Sequence, residues 1–138
     1  MKNLNYNIVK ALFVLCLILG PISCGKDDGP SEPSVEELII GKWFLKATGP
    51  GPSEALGECE RKSYLEFDTA QRAIAENFKM QEGSCTSNIS LMEYALISDG
   101  RKIAFTSSIG EAVTVDILNL DENSLAIESS GSFLRFEK

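Results

Sequence analysis

From Gly41 to the end of the chain, apolar and polar residues alternate in short blocks separated by turn-forming residues. A period of two is the mark of half-buried strands. Gly41-Lys42-Trp43-Phe44-Leu45-Lys46 opens the series, with Trp43 and Leu45 on one face. Tyr64-Leu65-Glu66-Phe67 puts Leu65 and Phe67 on one side, and Ile74 to Met80 is a weaker run carrying Ile74 and Phe78. In Ile89 to Ile97 the parity of Leu91 conflicts with that of Tyr94 and Leu96, which predicts a bulge near Met92. Asp99-Gly100 is a strong hairpin signal and leads into Lys102 to Thr106. Ala112 to Leu120 alternates through Val113, Val115 and Ile117; Asp121-Glu122-Asn123 turns the chain into Leu125 to Glu128, and Ser130-Gly131 turns it into Phe133 to Phe136.

Eight short strands at regular spacing, joined by tight turns, form an antiparallel meander. Such a meander closes readily into an eight-stranded up-and-down barrel, whose interior fills with side chains or holds one small ligand. A two-sheet β-sandwich built from the same strands is the alternative. Ahead of the first strand, Ser34 precedes Val35-Glu36-Glu37-Leu38-Ile39-Ile40, where a capping serine, acids in the first turn and apolar spacing predict one or two helical turns ending at Gly41. Thr48 to Gly57 contains Gly49-Pro50-Gly51-Pro52 and reads as a long surface loop. That loop and the segment Gln81 to Asn88 are the loops expected to carry function.

The start of the chain has a different character. Lys2 and Lys10 precede an apolar run from Ala11 to Leu19, the charged-then-hydrophobic layout of an export signal. The run is shorter than the ~20 residues a helix needs to span a bilayer. Ser23 before Cys24 completes a pattern that resembles a bacterial lipoprotein signal, with Pro21 where an aliphatic residue is usual. The resemblance implies acylation of Cys24 (palmitate among the chains) and anchoring through the membrane, since each buried methylene contributes ~0.8 kcal/mol. Residues 1–23 are then a cleaved leader, 24–34 the acylated cysteine and a tether rich in Gly, Pro, Ser and charge, and 35–138 one domain. Lys26-Asp27-Asp28 resembles the signal that carries lipoproteins to the outer face of the outer membrane; ordinary solvated linker charges read the same. The expected location is the outer membrane, lipid-anchored, facing either the cell surface or the periplasm.

Composition narrows the function classes. Without the leader, which carries Lys2 and Lys10 and no acid, 13 basic residues become 11 against 20 acidic ones, a balance of −9. Phosphate repels such a chain, so no nucleic-acid partner is expected. Cys16 lies inside the leader and Cys24 carries lipid, which leaves Cys59 and Cys85 as an even pair in an oxidising compartment. A disulfide between them is expected, worth roughly 3 kcal/mol on the chain-entropy model. With no histidine in the chain, two cysteines cannot complete the usual zinc shell, and no Ser-His-Asp or Cys-His arrangement exists. No enzyme activity, metal or cofactor is expected. Asn88-Ile89-Ser90 matches a glycosylation triplet, which has little meaning in a bacterial lipoprotein.

From 35 to 138 the sequence resembles the small lipocalin-like domains of bacterial lipoproteins. The shared features are the turn Glu36-Glu37-Leu38-Ile39, Gly41-x-Trp43 heading the first strand, the pair Cys59 and Cys85, Tyr94-x-Leu96 running into Asp99-Gly100, and Arg135 in the closing strand. The resemblance implies that Trp43 sits at the closed end of the barrel with Arg135 packed across it. Leu65, Phe67, Phe78, Tyr94, Phe105 and Ile117 are either the lining of a ligand cavity or plain core. Two functions follow: a carrier or sensor of a small apolar ligand, and a filled barrel that serves as a protein or glycan interaction module.

Overall fold

The computed structural model describes residues 32–49 and 54–138. The leader, Cys24, the tether up to residue 31 and residues 50–53 of the first loop lie outside the described residues. Helix α1 (Val35–Ile39) begins at a complete capping box: Ser34 Oγ accepts from the Glu37 N–H at 3.3 Å, and Glu37 Oε2 accepts from the Ser34 N–H at 3.0 Å. It stops because Ile40 is extended and Gly41 takes φ +120°, a conformation open to glycine.

Strands follow in the order β1 (Gly41–Gly49), β2 (Glu54–Ala55), β3 (Tyr64–Phe67), β4 (Arg72–Gln81), β5 (Ser84–Ile97), β6 (Lys102–Ser107), β7 (Ala112–Leu120), β8 (Ser124–Ser129) and β9 (Ser132–Glu137). Neighbours from β3 to β9 pair antiparallel, β1 pairs with β3, and β9 returns to β1, which closes an eight-stranded barrel. The meander expected from the alternation is thus the fold, and the two-sheet sandwich is not. β2 stands outside the ring. β3 accompanies β1 only from Gly41 to Phe44, and the Ala47–Thr48 edge left open beyond it is taken by Glu54–Ala55, inside what the sequence marks as loop.

The barrel interior is packed. Trp43, Leu45, Leu65, Phe67, Tyr94, Ile103, Phe105, Val115, Leu125, Ile127 and Phe136 are buried in one cluster, and Ile39 of α1 joins them. Ring packing is specific: Phe67 meets Tyr94 edge-on at 4.9 Å and Phe105 at 6.0 Å between centroids.

Bulges fall between Leu45 and Ala47 and between Ile117 and Asn119, and the register of β5 runs unbroken through Met92. The expected irregularity there is absent because Ile89 and Leu91 need no inward-facing place; they stand on the outer face, exposed. β4 and β5 pair from Arg72–Glu93 to Gln81–Ser84, while β3 follows β4 only to Glu76 and β6 follows β5 only from Met92. The far part of this hairpin is therefore an arm projecting past its neighbours. Its two-residue turn at Glu82 (φ +50°) and Gly83 (φ +80°) makes most of Gln81 to Asn88 strand where a connecting loop was expected.

The arm is tied down from one side. Cys59 and Cys85 form the expected disulfide, with Cα atoms 5.6 Å apart. Beside it the 3₁₀ turn Glu60–Lys62 delivers Ser63, one of few buried polar residues, whose Oγ accepts from the Phe78 N–H at 2.8 Å. That bond satisfies a β4 donor exactly where β3 no longer reaches.

Candidate ligand groove

Residues expected to line an internal cavity fall into two groups. Leu65, Phe67, Tyr94 and Phe105 are buried core, and Ile117 packs against that core half-buried. Phe78 does not share the interior with them. Ala73 is buried and Phe78 lies at the opposite parity of β4, on the arm beyond the end of β3, so its side chain belongs to the outer row.

A cavity of about 680 Å³ lies elsewhere, on the outer wall. Glu66, Ile74 and Leu91 stand in one cross-strand row, and Arg72, Glu93 and Thr106 in the next. Both rows alternate with the buried row of Phe67 and Ala73, so both face outward. The β6–β7 turn supplies a further wall through Ser107, Ser108 and Gly110, while Ile74 and Leu91 provide the outward apolar surface. The site exists because β4, β5 and β6 overlap only around Met92 and Glu93, so the arm and the β6–β7 turn diverge on either side of it.

Electrostatics at the rim are largely settled within the protein. Asp68 Oδ1 accepts from the Arg72 and Ala70 backbone N–H groups, each at 2.9 Å, and its Oδ2 takes the Arg72 Nη2 at 2.7 Å. These bonds, the Arg72 backbone N–H foremost, hold the Asp68 carboxyl below its ordinary range, so it stays ionised and turns Arg72 toward itself. Tyr94 donates from its hydroxyl to the Asp68 carbonyl at 3.0 Å; burial, with the Asp68 charge second, pushes its phenol up and keeps it a neutral donor. Glu66 faces Lys42 at 3.5 Å. Glu93 has no ion-pair partner among the described residues. The groove therefore offers an apolar floor, one carboxylate and a set of hydroxyls.

No protein-family model matches this sequence, and no curated protein does. The structure is similar to the crystal structure of a lipocalin-like protein from Bacteroides uniformis, with a TM-score of 0.54 and 20% identity over 72% of this chain and 97% of that one. An uncharacterized protein from Bacteroides eggerthii is similar too, with a TM-score of 0.54 and 16% identity over 72% of this chain and 98% of that one. The fold is lipocalin-like.

At the closed end of this lipocalin-like barrel, Trp43 is fully buried and its indole N–H donates to the Ile39 carbonyl at 2.7 Å. The cation across it is Lys138, not Arg135: Lys138 Nζ lies 4.4 Å from the ring centroid. Parity explains the exchange. Phe136 is buried, so Arg135 points out of the barrel, in register with Ala47 and Ala126 and with its guanidinium 3.8 Å from Glu137. Lys138 shares the parity of Phe136, a signal present in the sequence. The groove had no such signal, since its walls are brought together only by the registers of four strands.

Proposed function

We propose that this chain is an exported, lipid-anchored lipocalin-like protein that binds a small, mainly apolar ligand in the outer groove rather than inside the barrel. The observation that carries the reading is the contrast between an interior filled by aromatic and aliphatic side chains and an outer cavity of about 680 Å³. Sites for small molecules commonly measure ~300–1,000 Å³ and combine apolar walls with a few polar groups. Ile74 and Leu91 would take the apolar body, and Ser107, Ser108 and Glu93 a hydrogen-bond-donating end.

The interaction-module reading keeps one supporting observation, the exposed Ile109 at the tip of the β6–β7 turn beside the groove, an apolar contact point suited to a larger partner. Native mass spectrometry of the chain purified without denaturation separates the two. A small-molecule adduct on the wild type that is lost in Leu91→Arg supports the groove. An adduct retained in Leu91→Arg, or none on either protein, overturns the carrier reading.

A further inference from the structure

The Tyr94 N–H donates to the Gln71 carbonyl at 2.8 Å, so even-numbered residues of β5 direct their backbone groups toward β4 and odd-numbered ones toward the opposite edge. From Met92 to Ile97 that opposite edge is occupied by β6. From Ser84 to Leu91 no strand among the described residues lies along it, leaving the N–H and C=O groups of Cys85, Ser87, Ile89 and Leu91 as an open ladder.

Open edges are normally guarded by lysine, proline, a bulge or a cover. This one has none of these: Gly83 to Met92 contains no charged residue and no proline, and β5 pairs with β4 without a bulge. It is the longest uncharged run among the described residues. Ile89 and Leu91 flank it with side chains 58% and 65% exposed.

We propose that the open edge of β5 pairs antiparallel with the same edge of a second copy, about a two-fold axis at Ser87 that sets Cys85 opposite Ile89 of the second copy. The charge pattern selects this occupant. In a two-fold contact the side chains at and next to the axis lie near their own symmetry mates, where like charges oppose pairing; on an acidic chain of net charge −7, the uncharged run around Ser87 brings no like charges together there. A foreign strand imposes no such requirement and would be met better by complementary charge. Pairing in this register carries the hairpin tip of the second copy toward Leu91 and adds a wall to the groove. The dimer does not depend on the groove holding a ligand.

The test is native mass spectrometry of the full-length chain released from detergent micelles over a series of protein concentrations, read as the fraction at twice the chain mass. The wild type is expected to show a dimer that grows with concentration. Ser87→Pro removes an N–H on the open edge and spares every bond to β4, and Ile89→Lys places an ammonium beside the axis; each is expected to abolish the dimer. Leu118→Lys, at an exposed apolar residue in the β7 bulge, is expected to keep it. Circular dichroism reports whether each variant is folded, and should Ser87→Pro fail to fold, Ile89→Lys decides. A wild type monomeric at every concentration, a dimer unchanged in Ile89→Lys, or a dimer lost equally in Leu118→Lys overturns the proposal.

Discussion

Lys138 closes the barrel over Trp43: its ammonium lies 4.4 Å from the indole centroid and donates to the Leu38 carbonyl at 3.0 Å. With the indole N–H on the Ile39 carbonyl, the last carbonyls of α1 are satisfied by the two members of one cation–π pair. Helix, first strand and C-terminus are joined at a single point. A cation at the helix C-terminus is also favoured by the direction of the backbone dipoles.

Removing that charge while keeping the stem isolates the contact. Lys138→Met is expected to lower stability by about 0.5–1 kcal/mol, the range for a cation–π pair at an exposed site. Arg135→Met, whose charge faces outward, is expected to change stability by less than about 0.5 kcal/mol. Urea unfolding of both variants checks this, and an Arg135→Met loss equal to or larger than that of Lys138→Met would contradict it.

The arm makes a second prediction. Replacing Cys59 and Cys85 together by Ser is expected to cost roughly 3 kcal/mol, because a cross-link spanning 26 residues limits the unfolded chain. Ser63→Ala, which removes the partner of the half-buried Phe78 N–H, is expected to cost about 1 kcal/mol. Hydrogen exchange locates the effect: faster exchange is expected from Asn77 to Asn88, with the β6–β9 amides unchanged. Uniformly faster exchange would mean that the arm is not a separate unit.

Two turn carboxylates are expected to contribute to the acid sensitivity of the fold. Asp121 Oδ1 accepts from the Asn123 and Ser124 N–H groups at 2.9 and 2.8 Å, bonds that pull its carboxyl below the ordinary value, the Asn123 bond foremost; Asp68 is lowered in the same way by the Arg72 N–H. A carboxyl that ionises at lower pH when folded adds stability that is fully present above the unfolded carboxylate value, about 3.9, and is lost as pH falls through the folded value. Thermal melts from neutral pH down to about pH 2 are expected to show a shallower acid decline for Asp121→Asn and Asp68→Asn than for the wild type. Parallel declines would remove these groups as its cause.

Alternation made most strands legible, because Val113, Val115 and Ile117, or Leu125 and Ile127, repeat at period two where one face is buried. It failed where neither face is apolar: Ser84-Cys85-Thr86-Ser87-Asn88 shows no pattern, yet it is strand because each of its residues pairs across to β4. The core was legible residue by residue, since Leu65, Phe67, Tyr94 and Phe105 sit on inward parities. The groove was not, because Glu66, Ile74, Leu91 and Thr106 become neighbours only through the registers of four strands. Nor was the choice of Lys138 over Arg135 made by residue type, as both are cations; one step of strand parity decides it.

The proposed anchoring would rest on Cys24, and its test is independent of the barrel. Acylation of this thiol is expected to send the chain into the detergent phase on Triton X-114 partition, because two or more acyl chains anchor a protein stably in a bilayer. Cys24→Ala is expected to leave it in the aqueous phase or unprocessed. Intact mass should show the acyl increment on the wild type alone; if Cys16 leaves with the proposed leader, no other thiol outside the Cys59–Cys85 pair can carry it. A variant that still partitions with detergent like the wild type would mean that the apolar run from Ala11 to Leu19 is retained and does the anchoring, which would also return Cys16 to the exported chain.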